Sequence, residues 1–177
     1  GQNFAKAFDV KFQTEDNKEE FVWATSWGIS TRLVGAIILA HGDNSGLRLP
    51  PEIAPIQIII IPIYRNQEQK EEVQKYIEPL EDKFKNKNLR YFIDWSDSSP
   101  GYKFNHWEMK GVPLRIEVGT RDIEKNQVVV VRRDNKEKSS ILFNEINKKI
   151  PELLKAIQEN LYVQAKLFRD QNTHKVK

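Results

Sequence analysis

The stretch IQIIIIPI, Ile56–Ile63, decides the fold of this chain. Its side chains are almost all apolar and mostly β-branched, which is typical of a strand covered on both faces. The run is far too short to cross a lipid bilayer. It therefore predicts the central strand of a sheet that has helices on both sides.

Downstream of this strand, helical and strand patterns alternate. Gln67–Asn86 has the periodicity of an amphipathic helix, and Gly111 is expected to end a short helix over Lys103–Lys110. The other expected elements are strands at Leu89–Trp95, Val112–Val118 and Gln127–Asp134, an edge strand at SSILF, and a long helix from Asn144 to about Asp170. This alternation predicts one α/β layered domain over residues 56–170, followed by a tail at 171–177.

The residues before the central strand do not share the strand–helix alternation that follows it. Strands are expected around Phe4–Phe12 and Phe21–Gly28, and then a helix over Ile29–Asp43 that is apolar around most of its girth. Residues 1–49 hold too few elements to bury such a helix, and the one Met of the chain is the internal Met109. We therefore expect residues 1–49 to be the remnant of a larger domain, joined by a linker at 50–55.

Composition excludes several classes of protein. Hydrophobic residues make up 39% and charged residues 30%, which is an ordinary balance for a globular chain, and the net charge of +3 permits nucleic-acid binding without requiring it. There is no Cys, so thiolate metal sites and disulfides are excluded. His41, His106 and His174 have no second ligand at metal spacing, and no P-loop or dinucleotide-binding fingerprint is present.

One candidate binding surface lies between the short helix and the strand that follows it. Phe104 and Glu108 are four residues apart and share a helix face, whereas Trp107 is expected to pack inward. In the next strand Arg115 points away from the apolar face. An aromatic ring, a carboxylate and an arginine suit an unpaired guanine, but the same pattern is also typical of a solvated helix face with a structural Arg115–Glu117 pair.

A second candidate lies at the expected strand-to-helix junction, Ser26–Arg32. Helix N-termini bind anions through free N–H groups, and an arginine in the first turn strengthens phosphate binding. The alternative is that Ser30 simply caps the helix and Arg32 lies on the surface.

Two long blocks of this sequence resemble a known family. GQNFAKAF (Gly1–Phe8) and WATSWGISTRLVGAIILAHGD (Trp23–Asp43) are similar to the catalytic domain of prolyl-tRNA synthetases of the archaeal and eukaryotic type. SPGYKFNHWEMKGVPLRIEVGTRD (Ser99–Asp122) with the following VVVVRRD resembles their anticodon-binding domain. The resemblance implies a mixed five-stranded sheet with flanking helices, preceded by the last strand and helix of a class II catalytic domain.

The resemblance also implies roles for individual residues. Ser30 and Arg32 would contact ATP, and the segment Ser26, Trp27 and Gly28 would line a proline pocket. The residues expected to recognise the two guanines of a proline anticodon are Phe104, Glu108, Arg115, Asp122 and Lys138. The isolated chain is expected to lack catalytic activity, because the rest of the active site lies outside it.

Cofactors, partners and location follow from the same resemblance. A complete enzyme of this family would activate proline with ATP and Mg²⁺ and transfer it to tRNA(Pro), as a cytoplasmic homodimer with no membrane association. Zinc, which family members bind in a further C-terminal domain through Cys ligands, is not expected here. An alternative is a non-catalytic synthetase-like module that binds RNA or protein.

Overall fold

The computed structural model describes residues 1–174 and divides the chain into two compact units, Gly1–Val34 and the part from Gly35 onward. The elements in order are α1 (Asn3–Ala7), β1 (Lys11–Gln13), β2 (Glu19–Phe21), α2 (Arg32–His41), β3 (Ile58–Ile63), α3 (Gln67–Asn86), β4 (Tyr91–Ile93), α4 (Pro100–Met109), β5 (Leu114–Gly119), α5 (Thr120–Glu124), β6 (Gln127–Arg132), β7 (Lys138–Leu142) and α6 (Ile146–Asn172).

The second unit is built on a mixed five-stranded sheet. Its strand order is β4-β3-β5-β6-β7, with β3 parallel to both β4 and β5 and the last three strands antiparallel. The strand predicted from IQIIIIPI is therefore internal, and Ile58–Ile61 are completely buried. The predicted α/β sheet with flanking helices is confirmed.

The two faces of the sheet carry separate apolar clusters. Ile58 and Ile60 pack with the buried sides of α3 and α6, whereas Ile59 and Ile61 pack with Trp107 and Val112 beneath α4. Successive strand residues point to opposite faces, so β3 supplies both clusters. The α4 face has fewer covering elements, because only the α3 face carries two long helices.

Helix α3 follows the predicted bounds, and its N-terminus is capped by Asn66, whose side chain accepts the N–H of Gln69 at 2.9 Å. Helix α6 begins at Ile146, just after the predicted Asn144, and contains Pro151 in its interior. Between β5 and β6, where no helix was predicted, Thr120–Glu124 form α5. The Asp122 carboxylate accepts the Gly119 N–H at 3.1 Å, which stabilises the single turn.

The first unit differs from its predicted strands. Asn3–Ala7 are helical, and strand structure is confined to Lys11–Gln13 and Glu19–Phe21, which form a hairpin. The rings of Phe4 and Phe8 stack with their centroids 6.4 Å apart. Their i, i+4 spacing therefore belongs to a helix and not to a strand. Residues 22–30 contain no strand, because no neighbouring strand lies beside them in the described chain to complete a ladder.

The segment predicted as a linker, 50–55, lies within the second unit and packs closely against other residues of that unit. Pro50, Pro51 and Ala54 are buried, and the Arg90 guanidinium donates to the carbonyl oxygens of Pro51 and Ala54, each at 2.8 Å. At the other end of the chain α6 continues to Asn172, into the predicted tail, whose residues 175–177 lie outside the described part.

Helix α2 is shorter than the predicted Ile29–Asp43, and none of its residues is buried. Among residues 1–174, no helix combines the length and the apolar character that a membrane span requires.

Candidate nucleic-acid interface

A buried polar anchor fixes the orientation of α4. The Trp107 indole N–H donates to Asp94 Oδ2 at 2.7 Å, and Lys103 Nζ donates to the Asp94 carbonyl at 2.8 Å. Burial raises the pKa of Asp94, but the hydrogen bonds from Ser96 and Trp107 outweigh burial and hold that pKa below its usual value. With Trp107 turned to the sheet as predicted, the side of α4 that carries Glu108 borders open space.

The sheet supplies the floor of that space. Ile59, Arg115, Val131 and Lys138 are paired in one row across β3, β5, β6 and β7. Residues paired across neighbouring strands point to the same face. Because Ile59 belongs to the cluster beneath α4, Arg115 and Lys138 also lie on the α4 face.

A cavity of about 260 Å³ lies between α4 and this row. Its lining combines apolar side chains with one carboxylate and several cations: Ile59, Trp107, Glu108, Val112, Arg115, Val131, Arg132, Arg133, Lys136 and Lys138. The size and composition suit a flat, polar-edged ring rather than a purely apolar ligand.

Arg115 has a fixed position at the edge of this cavity. Its guanidinium carbon lies 4.3 Å from the centre of the Phe104 ring, and its Nε and Nη2 each donate to Glu117 Oε1 at 3.0 Å. The alternative Arg115–Glu117 pair and the predicted proximity of Arg115 to Phe104 are thus both present. The two contacts leave Nη1 of the guanidinium available to a ligand.

Glu108 forms an ion pair with an exposed lysine. Lys136 Nζ lies 3.3 Å from Glu108 Oε1 and donates to the Ser45 hydroxyl at 3.0 Å. The Lys136 side chain is 63% exposed, so this ion pair is solvated and weak. A ligand that donates two hydrogen bonds to the carboxylate can replace the lysine at little cost.

Arg133 fixes the C-terminal end of α4 through hydrogen bonds. Its guanidinium donates to the Glu108 carbonyl at 2.9 Å and to both carboxylate oxygens of Asp43, at 2.8 and 2.7 Å. The hydrogen bonds from Arg133 keep the pKa of Asp43 far below its usual range, against the opposing effect of burial. Gly111 completes this junction, because its φ of 76° and a Cβ position 2.6 Å from the Leu47 backbone exclude a side chain.

The structure brings four of the five predicted anticodon residues together. Glu108, Arg115 and Lys138 line the cavity and Phe104 packs on Arg115, whereas Asp122 lies in a separate cleft with Arg65 and Arg121. Lys138 is the first residue of β7.

Sequence reasoning did not select Lys136, Arg133 or Glu117 as site residues. Glu117 was identified only as the alternative partner of Arg115, although its position two residues along the same strand face was the available signal. Nothing in the sequence pattern indicated that Lys136 would reach Glu108 from the turn between β6 and β7.

The predicted ATP and proline residues lie on a stretch without regular structure. Ser26, Trp27, Gly28 and Ser30 are exposed, Trp27 to 96% of its surface, and a Cβ on Gly28 would meet no atom within 4 Å. Arg32 opens α2 and is exposed as well. Among residues 1–174, no group of three or more His, Cys, Asp or Glu side chains is arranged to hold a metal ion.

Comparison with known proteins shows the family to which this chain is related. The family model described as "Anticodon binding domain" matches residues 57–153. Proline–tRNA ligase 2 of Bacillus cereus (strain ZK / E33L) is 48% identical over 180 residues, covering 99% of this chain and 36% of that protein. Proline–tRNA ligase of Natranaerobius thermophilus is 47% identical over 177 residues, covering 98% and 36%. The chain thus spans about a third of the length of these relatives.

Solved structures show the same likeness. Prolyl-tRNA synthetase from Cryptosporidium parvum complexed with L-proline and AMP superimposes with a TM-score of 0.81 at 46% identity, over 99% of this chain and 38% of that one. The same enzyme complexed with halofuginone and AMPPNP gives a TM-score of 0.84 over 100% of this chain. This chain therefore belongs to the anticodon-binding domain family and is related along nearly its whole length to prolyl-tRNA synthetases.

Proposed function

We propose that the cavity between α4 and strands β5–β7 binds a guanine of the tRNA(Pro) anticodon. The observation that carries this proposal is the stack of the Arg115 guanidinium on Phe104, with the Glu108 carboxylate lining the same cavity. A carboxylate accepts both N–H groups of the guanine Watson–Crick edge, and an arginine donates to O6 and N7. No other nucleobase offers both patterns together.

The surrounding charges support the same ligand. Lys138 Nζ, on a side chain that is 59% exposed, lies at the cavity edge and reaches the nucleotide backbone when a base enters. Lys136, once a guanine has replaced it at Glu108, becomes available to a phosphate. Asp122 is proposed to contact a neighbouring nucleotide of the anticodon loop rather than the same base, because it lies in a different cleft.

The activity of a complete protein is proposed from its relatives. The chain is proposed to be part of a proline–tRNA ligase that activates proline with ATP and Mg²⁺, transfers it to tRNA(Pro), and acts as a cytoplasmic homodimer. In that protein Ser30 and Arg32 contact ATP, and the segment Ser26–Gly28 lines the proline pocket. The test is pyrophosphate exchange by a longer protein that contains this chain: Arg32→Ala is expected to abolish exchange. Absence of exchange in the unmodified protein would favour a non-catalytic RNA-binding module.

Anticodon recognition is tested by direct binding. The 177-residue chain is titrated with a tRNA(Pro) transcript and with transcripts in which each anticodon guanine is replaced in turn by adenine. We expect one of the two replacements to weaken binding by about tenfold or more, because one well-made bidentate contact contributes about 1–3 kcal/mol of discrimination. Equal affinity for all three transcripts would contradict the proposal that the cavity binds an anticodon guanine.

A further inference from the structure

We propose that Glu117 is a positioning residue for base recognition: it fixes the Arg115 guanidinium in the orientation that reads guanine. The inference rests on the proposed function of the cavity and extends it to a residue that no base is expected to touch. Glu117 is only 5% exposed, so it lies beneath the binding surface rather than on it.

The contacts of Glu117 divide between two cations. Its Oε1 accepts Nε and Nη2 of Arg115, both at 3.0 Å, and its Oε2 accepts Lys138 Nζ at 2.8 Å. Both oxygens are therefore occupied by the two cations at the cavity edge. A buried carboxylate is costly unless it is paired in this way, so these contacts are kept when a ligand enters.

Two contacts orient the Arg115 guanidinium. Phe104 covers one face of the guanidinium and Glu117 holds one edge of it. The remaining edge, which carries Nη1, is the one that can donate to O6 or N7 of a base. Without Glu117 the long Arg115 side chain would be free to adopt other rotamers. Binding a base would then have to order the guanidinium first, which lowers the affinity.

A purely structural role makes a different prediction. The buried Glu117 carboxylate pairs with Arg115 and Lys138, so its loss leaves both cations without this partner and would weaken the domain as a whole. In that case the affinity for every transcript would fall together. A positioning role instead lowers the discrimination between guanine and adenine, and only while Arg115 is present.

The experiment is a double-mutant cycle on discrimination. Affinities of the 177-residue chain for the guanine and adenine transcripts are measured for wild type, Glu117→Gln, Arg115→Ala and the double variant. We expect Glu117→Gln to lower the discrimination about tenfold in the wild-type background. In the Arg115→Ala background the same change should alter the discrimination by no more than about twofold, within the scatter of independent sites.

Two controls keep the outcomes separate. Glu72→Gln, an exposed carboxylate on α3, should change neither affinity nor discrimination. If Glu117→Gln unfolds, Glu117→Asp retains the charge but withdraws it by one methylene, and the cycle is repeated with that variant. Equal losses in both backgrounds, or unchanged discrimination in Glu117→Gln, would overturn the positioning role. Unchanged discrimination in Arg115→Ala alone would instead overturn the proposed base-reading function.

Discussion

At the scale of the residue, the chemistry of this cavity depends on carboxylates that have different surroundings. Glu117 is buried with both oxygens paired, Glu108 is bordered by an exposed lysine, and Asp43 is held by a buried arginine. The same functional group is therefore proposed to orient Arg115 at Glu117 and to bind a base at Glu108, whereas at Asp43 it forms an ion pair with Arg133. Burial and the identity of the partner cation decide which role each carboxylate has.

Glu108 is expected to carry most of the preference for guanine at its position. Glu108→Ala should reduce the discrimination between guanine and adenine by about 1–3 kcal/mol, because the two N–H groups of the guanine edge lose their acceptor. The measurement is the ratio of Kd values for the two transcripts, with Glu72→Ala on α3 as the matched control. The stability of the fold should change by no more than about 1 kcal/mol, since the Lys136 pair is solvated. A full loss of binding to both transcripts would indicate damage to the fold instead.

Asp43 is expected to make stability fall in acid. Its hydrogen bonds from Arg133 lower its pKa in the folded state, so the ion pair contributes fully above the unfolded pKa of about 3.9 and is lost as pH falls below it. Urea unfolding between pH 6 and pH 2.5 should show a steeper decline for wild type than for Asp43→Asn. The variant retains the decline caused by Asp94, whose pKa is also lowered. Parallel curves would show that Asp43 is not linked to folding.

At the scale of the element, the packing of α4 decides where two of the predicted base-binding residues, Phe104 and Glu108, are placed. Trp107 fixes its rotation, Arg133 holds its C-terminal turn, and Gly111 ends it beside Leu47. Its N-cap is Ser99 and its first turn contains Pro100, so the helix begins before the predicted Lys103. A small displacement of this helix would move both Phe104 and Glu108.

Gly111 is expected to tolerate no side chain. Gly111→Ala places a Cβ 2.6 Å from the Leu47 backbone at a φ of 76°, which should cost about 2 kcal/mol or more of unfolding free energy. Gly101→Ala is the matched control, because its Cβ would lie in open space within α4, and it should stabilise the helix by up to about 1 kcal/mol. Equal unfolding free energies for the two variants would contradict the assigned role of the Gly111 turn.

Periodicity predicted some elements and missed others for physical reasons. The predicted bounds of α3 match the observed ones, because one apolar stripe repeats at helical spacing: Val73, Ile77, Leu80 and Phe84. α5 was missed because a single turn is too short to show a period. The strand predicted over Phe21–Gly28 was wrong beyond Phe21, because β-prone residues form a strand only where a neighbouring strand completes the hydrogen bonds.

At the scale of the whole molecule, the buried core belongs almost entirely to the second unit. In the described part of the chain before Ala54, the buried apolar residues are Ala5, Pro50 and Pro51, and only Ala5 lies in the first unit. The first unit exposes large side chains instead, among them Phe4, Phe8, Trp23 and Trp27. Hydrophobic stabilisation therefore comes from the sheet and the helices packed on it.

A shortened chain that begins at Gly35 is expected to keep the fold and the binding of the second unit. It retains every residue of the two core clusters, and also Asp43, which pairs with Arg133. Its unfolding free energy should match that of the full chain within about 0.5 kcal/mol, the usual range for changes outside packed regions. Its affinity for the tRNA(Pro) transcript should be unchanged. A large loss in either quantity would assign residues 1–34 a direct part in the second unit's stability or binding.

The sequence alone determined the α/β sheet and its central strand, and it predicted a base-binding surface. These features follow from local patterns: a β-branched run that must be covered twice, an apolar stripe, and a ring, a carboxylate and an arginine at helix and strand spacing. Only the tertiary structure decided how Arg115 is oriented, that Lys136 reaches Glu108, and that Asp122 lies apart from the cavity. Those outcomes depend on strand register and on the approach of segments distant in the chain, which no local spacing encodes.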